Sequence, residues 1–198
     1  MSKTVFDISM SLDGYITAAE RSPDQPLGRD GEQLHQWLLG DDRTSLEYFA
    51  RVSKANGAVI TGRRNYDDSL PWWGADGPTG DLRLPVVVVT HSTPRAVPEG
   101  GVYRFVTDGL ESALEVARTA AKGRDVTVMG GARLARSFLT AALIDEISLH
   151  IVPVLFGQGT RLFDELPDRH WELELIEAVP AARAVHVRYA VRRQPPSP

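Results

Sequence analysis

An α/β fold, with a mostly parallel central sheet and an antiparallel edge, is what this 198-residue sequence predicts. Three observations carry that prediction. Helical periods alternate with short apolar runs along most of the chain, the pattern of strands joined by crossover helices. Residues 86–89 are four consecutive valines, too apolar for a strand with one wet face, so they belong in mid-sheet. Residues 171–179 and 185–191 both alternate apolar and polar positions across a short PAAR connection, which makes a closing hairpin.

The elements follow in order. Residues 5–10 alternate around Asp7 and Ser9 and form a strand, and Asp13-Gly14 turns the chain. Residues 18–30, rich in Pro, Gly, Asp and Arg without an apolar period, read as a mobile loop. Leu34, Trp37 and Leu38 share one face of a short helix that Gly40 stops. Asp42 or Thr44 caps a second helix, which carries Leu46, Phe49, Ala50 and Val52 and ends near Asn56-Gly57. Residues 58–61 are a buried strand, followed by Gly62-Arg63-Arg64, a helical turn through Tyr66 and a Gly/Pro-rich loop over 70–84. A strand at 102–106 precedes a helix over 110–121 on the period Leu110, Leu114, Ala117. The apolar run 126–129 ends in Gly130-Gly131, an amphipathic helix opens at once, and a second apolar run covers 144–156. Asp145-Glu146, at the entrance to that run, reads as a structural pair. No repeat or linker divides the chain, so residues 1–192 form one domain and 193–198 a disordered tail.

Composition narrows the function classes. A net charge of −4 with interspersed signs argues against a nucleic-acid binder, which would carry a basic stripe. Without cysteine there are no disulfides and no thiolate metal site, and no metal is expected. No apolar run approaches the about 20 residues that span a bilayer, and the first residues lack a signal-peptide core, so no membrane partner and a cytoplasmic location are expected.

The chemistry sits at strand ends. Gly130-Gly131, between a buried strand and a helix, lets backbone approach a ligand, and the N–H groups of the new helix favour an anion there. The pair lacks the third glycine of a dinucleotide fingerprint, and a tight turn without a ligand is its other reading. Two more strand ends deliver Gly62-Arg63-Arg64 and Thr90-His91-Ser92, while Ala132 and Arg133 follow the glycine pair. Backbone donors, hydroxyls and cations of this kind hold a diphosphate and a further 2′-phosphate, which points to NADPH rather than NADH.

The segments Ser11-Leu12-Asp13-Gly14-Tyr15-Ile16, Thr61-Gly62-Arg63, Val87-Val88-Val89-Thr90, Met129-Gly130-Gly131 and Leu143 through Gly159 resemble, in order, the dihydrofolate reductase-like superfamily. The reductase domain of the riboflavin-biosynthesis bifunctional deaminase-reductase is the branch most similar. The resemblance implies a three-layer fold with a central mixed sheet of about eight strands, NADPH as cofactor, hydride transfer to a pteridine- or pyrimidine-type small molecule, and a homodimer. It implies that Gly130 and Gly131, joined by a cis peptide, contact the diphosphate. Gly62, Arg63 and Arg64 match the cofactor-phosphate loop, Thr90, His91 and Ser92 the adenosine-side loop, and Arg133, beside Ala132, a basic residue near the adenosine phosphate. Ser9, Gly14, Tyr15 and Ile16 resemble the frame of the nicotinamide, and Pro153 to Phe156 a segment beside the substrate, bent by Gly157 and Gly159. Trp37 is a candidate to line a planar substrate, with core packing as its alternative.

Two carboxylates enter as catalytic candidates. Asp13, in the S-x-D-G turn, either contacts substrate or forms the turn through its own side chain. Classical dihydrofolate reductases carry an acid on the helix before the Gly-Arg loop; here Ser45 falls at that place and Glu47 lies close by, which puts folate reduction in doubt. The cysteine-free chain also excludes the deaminase half. The sequence therefore predicts an NADPH-dependent reductase resembling 5-amino-6-(5-phosphoribosylamino)uracil reductase. The alternatives are a true dihydrofolate reductase and a catalytically inactive NADPH-binding regulatory protein.

Overall fold

The computed structural model describes residues 2–192, and the expected tail at 193–198 lies outside the described residues. Ten strands and five α-helices run in the order β1 (Thr4–Ser11), β2 (Tyr15–Ala18), α1 (Gln36–Leu39), α2 (Arg43–Ala55), β3 (Asn56–Gly62), α3 (Arg63–Trp73), β4 (Val86–Val89), β5 (Tyr103–Val106), α4 (Leu110–Ala121), β6 (Asp125–Met129), α5 (Ala132–Thr140), β7 (Glu146–Val152), β8 (Gly159–Arg161), β9 (Leu173–Pro180) and β10 (Val185–Val191). Single 3-10 stretches precede α1 and follow α3.

Eight strands form one sheet in the order β5-β4-β3-β6-β1-β7-β10-β9, and β2 pairs with β8 apart from it. Every pair from β5 to β7 is parallel, whereas β7–β10 and β10–β9 are antiparallel. The predicted mixed sheet and C-terminal hairpin are thus present.

Strand alternation divides the sheet into two unlike faces. Phe6, Ile60, Val126, Val128, Ile147 and Leu149 point to one side and pack with Ala113, Leu114 and Ala117 of α4 and Ala135 and Phe138 of α5. The opposite side carries Asp7, Ser148 and Arg188 towards α2, and Val59, Val86 and Val88 against Tyr66 of α3. Helices on both sides make three layers.

Three local expectations change. The chain after Asp13-Gly14 enters β2, and the loop behind it is pinned by Ala18 N–H to Leu27 O (2.7 Å) and Arg29 N–H to Ala19 O (2.9 Å). Gly28 packs so closely there that a Cβ would stand 2.4 Å from two backbone oxygens. Where the composition suggests a loop from residue 70, α3 continues to Trp73 through Pro71. Packing of Leu70 and Trp73 beside Tyr66 outweighs the single donor that proline removes in the last turn.

Asp145 and Glu146 do act structurally. Asp145 Oδ2 accepts Thr4 N–H (2.9 Å), and Glu146, only 3% exposed, is paired with Lys3 and Arg188.

Candidate functional site

The parallel strands β4, β3 and β6 lie side by side, with Gly62 in register with Val89 and Ile60 with Val128, so their C-terminal ends share one edge. The three segments singled out in the sequence meet there. Arg63 joins two of them: its Nε donates to both Asp67 oxygens (2.8 Å each) and its Nη1 to Ser92 O (2.8 Å). Thr90 Oγ1 donates to the same Ser92 carbonyl at 2.8 Å. Thr90 and Ala132 are buried, while Arg64, His91, Ser92 and Arg133 are exposed. Both α3 and α5 start on a glycine, Gly62 and Gly131, with no side-chain cap, leaving first-turn N–H groups for an external acceptor.

Gly130 and Gly131 turn the chain from β6 into α5 with φ of 75° and 62°, where L side chains are disfavoured. The expected cis peptide between them is a correction: no cis peptide occurs among the described residues, because two successive positive-φ glycines make the turn with a trans bond. A Cβ on Gly130 would sit 2.3 Å from the Asn65 amide, which is held by its own bond to Thr61 Oγ1 (2.9 Å).

The β1–β2 turn is built around Asp13. Its carboxylate accepts from Ser11 Oγ (2.6 Å), Phe156 N–H (3.2 Å) and Gly157 N–H (2.8 Å). Burial pushes this carboxyl up, yet the hydrogen bonds together hold it below the ordinary value of 3.8. Asp13 is therefore a clamp between two loops, which corrects its candidacy as a catalytic acid: its oxygens are already committed. A lowered carboxyl adds stability that is present above its unfolded pKa and lost as pH falls through the folded one. Asp13→Ala is thus expected to be less stable than wild type at pH 7 in urea unfolding, with the gap narrowing below about pH 4. Gly14 has φ of 88°, Ile16 is buried, and buried Tyr15 donates its hydroxyl to Gly157 O at 2.9 Å.

A groove of about 590 Å³ opens between α2 and the polar sheet face. Asp7, Thr127, Met129, Ser148 and Arg188 form its floor, Phe49, Ala50 and Ser53 one wall, and Thr79 and Leu82 the rim. Met129 directly precedes Gly130, so the groove adjoins the glycine edge. These lining residues were not legible in the sequence, because they come from six separate segments. Asp7, a carboxylate in mid-strand, was the available signal.

Behind Asp7 runs a buried polar row. Asp7 Oδ1 lies 3.4 Å from His150 Nε2, His150 Nδ1 lies 2.8 Å from His186 Nδ1, and His186 Nε2 lies 2.9 Å from Ser45 Oγ. Ser45 Oγ is 2.9 Å from Asp42 Oδ2. Trp37 covers both imidazoles, at 4.2 and 4.9 Å between ring centres, and donates its indole N–H to Ser9 Oγ at 2.9 Å. Tyr48 stacks on His186 at 4.5 Å. Burial first, then the neighbouring His150, pushes His186 down to about 4.

Four expected roles change accordingly. Trp37 is 3% exposed and packs with Leu34 and Val152 on the same sheet face beside the groove, so it does not line it. Phe156 joins the same cluster, and Pro153 is exposed past the end of β7; neither lines the groove. Glu47 points to solvent and pairs with Arg43 (2.6 Å), one turn away, because α2 turns its Ser45–Tyr48 face inward.

The model of the RibD C-terminal domain family matches residues 2–187. The uncharacterized protein YwjB of Bacillus subtilis (strain 168) is 28% identical over 187 residues, which are 94% of this chain and 97% of that protein. Among solved structures, a Shewanella sp. PV-4 protein assigned by name to riboflavin biosynthesis shares the fold with a TM-score of 0.71 and 22% identity, over 96% of this chain and 99% of the other. Enterococcus faecalis dihydrofolate reductase, complexed with NADP(H), shares it with a TM-score of 0.58 and 16% identity, over 96% of this chain and 97% of the other.

Proposed function

Because the chain belongs to the RibD C-terminal domain family, whose fold and relatives support an oxidoreductase of the riboflavin-pathway type, we propose that it is an NADPH-dependent reductase of a pteridine- or pyrimidine-type heterocycle. The observation that carries this reading is the shared edge where two uncapped helix N-termini, Arg64, Arg133 and the Gly130–Asn65 contact adjoin a groove large enough for a planar ring.

The residues fit such a cofactor. Gly62, Arg63 and Arg64 with Gly130, Gly131, Ala132 and Arg133 would hold its phosphates, Thr90, His91 and Ser92 its adenosine side, and Ser9 with Gly14, Tyr15 and Ile16 would frame its nicotinamide. When bound, the cofactor supplies a hydride. The protein orients the heterocycle between Phe49 and the polar floor and keeps water from the reacting carbon.

Arg188 is the one cation among the described groove-lining residues, and it is engaged with Glu146. The groove therefore suits the ring itself, and a phosphoribosyl arm, as in the phosphoribosylaminouracil substrate, would extend beyond it. Fluorescence titration with NADPH is expected to give saturable binding in the micromolar range, and no binding at millimolar concentration would exclude the reading. Arg64→Ala and Arg133→Ala are each expected to weaken NADPH binding about tenfold, the worth of roughly one charge-assisted contact, with a smaller effect on NADH.

The homodimer also belongs to this reading. Leu175 and Ile176 on the terminal strand β9 are 57% and 48% exposed, and an apolar sheet edge invites a second copy. Analytical ultracentrifugation is expected to show a dimer that Leu175→Glu dissociates.

A further inference from the structure

We propose that Asp7 delivers the proton to the substrate nitrogen, and that the row His150, His186, Ser45 and Asp42 behind it stores that proton and renews it from solvent. This rests on the reductase reading. Reduction of a C=N bond takes a hydride at carbon, from the reduced nicotinamide of that reading, and a proton at nitrogen. The electron pair of the broken π bond goes to nitrogen, and the proton that meets it must come from the protein or from water.

The position of Asp7 is the first support. It is the carboxylate in the middle of the groove floor; Asp125, the other acid in the lining, lies at the far start of β6 beside Lys3 and Arg188. Asp7 keeps about a third of its side-chain surface open to the groove, at 32%.

Counting hydrogens is the second. Asp7, His150, His186, Ser45 and Asp42 make four successive contacts, each of which needs one hydrogen between its heavy atoms. Neutral His150, neutral His186 and Ser45 bring one hydrogen each, which makes three. With both carboxylates ionised, the row is one proton short, and it is satisfied only when it takes up an additional one. Asp42 is ionised at neutral pH because Ser45 and backbone donors hold its carboxyl low. At Asp7, burial pushes the carboxyl up, but the charge and hydrogen bond of His150, with Ser148 and Arg188, outweigh burial and hold it low. Burial favours the neutral form of His186, and the Nδ1–Nδ1 contact at 2.8 Å, which sets two acceptors against each other when both rings are neutral, is where the additional hydrogen is needed.

The route back to solvent is the third. Asp42 lies at the surface before α2, where its Oδ2 also accepts Ala182 N–H at 3.0 Å. A proton taken by the substrate from Asp7 is replaced by His150 Nε2–H, which leaves both imidazoles neutral; because Ser45 donates to Asp42, the row takes a proton from water at its Asp42 end once the Ser45 hydroxyl and the two imidazole tautomers have reversed. The other titratable groups facing the row are Tyr48 on α2, kept neutral as burial raises its hydroxyl, Arg188 on β10, which balances Glu146 of β7, and His35 before α1.

The test combines NMR of the full chain carrying ring-15N histidine with single-turnover kinetics. Without any ligand at pH 7, the His150–His186 pair of the wild type is expected to hold three ring protons, and the pair in Asp7→Asn two. Two neutral rings in the wild type would overturn the proposal. With NADPH and a heterocycle that the wild type reduces, Asp7→Asn is expected to keep NADPH affinity within about twofold and to reduce substrate about 100-fold more slowly, a general-acid effect. A wild-type rate in Asp7→Asn would also overturn it. Ser45→Ala, which cuts the row without touching the groove, is expected to flatten the pH dependence of turnover above neutrality while single turnover persists; an unchanged profile counts against renewal through the row. Failure of the wild type to bind NADPH would remove the reductase reading instead, and the histidine spectra would still decide whether the proton is stored.

Discussion

Glu146→Ala is expected to lower the unfolding free energy by about 3–5 kcal/mol, the loss seen when one member of a buried ion pair is removed. Glu146 is 3% exposed and is the shared partner of Lys3 and Arg188, whose side chains are 52% and 15% exposed. Its removal leaves Arg188 in the groove floor with Asp125 at 3.9 Å and the more distant charge of Asp7 as weaker acidic partners. The larger part of the effect thus comes from a guanidinium left without its close partner, not from the loss of the pair's own attraction, which desolvation largely offsets. Lys3→Ala, at the exposed end, is expected to change stability by less than about 1 kcal/mol. Urea unfolding at pH 7 measures both, and equal losses for the two variants would refute the assignment of Arg188 as the stranded charge.

Gly130→Ala is expected to weaken NADPH binding by about 10- to 100-fold, from roughly 1–3 kcal/mol of strain placed directly in the glycine turn proposed to hold its phosphates. Two separate effects act there. At φ of 75° an alanine adopts a left-handed conformation, and its Cβ would lie 2.3 Å from the Asn65 amide. Asn65 must then swing away from Thr61, to which it donates at 2.9 Å, and the first turn of α3 moves with it. Because β3 and β6 are adjacent, a shift at Asn65 reaches both uncapped helix starts. Adding Asn65→Ala to Gly130→Ala removes the collision but not the backbone strain, so the double variant is expected to recover part of the NADPH affinity and not all of it. Isothermal titration of the three variants separates the two effects. Gly131→Ala has φ of 62° but nothing within 4 Å of its Cβ, and serves as the strain-only comparison.

What could be read from the sequence depended on how local the signal was. The Val86–Val89 run, the period of α4 and the alternation of β9 and β10 are contained within single elements, and each appears where its pattern places it. The strand-end segments were visible because glycine, arginine and hydroxyl residues cluster within three or four positions. Over 70–84 the Gly/Pro-rich composition predicts a loop, whereas packing of Leu70 and Trp73 against Tyr66 extends α3 in spite of Pro71. The chemistry and position of Trp37, Pro153 and Phe156 suit a substrate pocket, yet Trp37 and Phe156 are taken up by a small core with Leu34 and Val152.

By itself the sequence determined the alternation of strands and helices, the hairpin and the three glycine- or hydroxyl-rich strand ends, because periodicity and turn chemistry act between residues close in the chain. Only the tertiary structure decided the groove and the row behind it. Asp7 meets His150 across a strand register, His150 meets His186 across the next, and Ser45 reaches His186 from a helix laid over both. Those neighbours are 36 to 143 positions apart in the chain, and a hydrogen bond that depends on a few tenths of an ångström leaves no spacing in the sequence from which to read it.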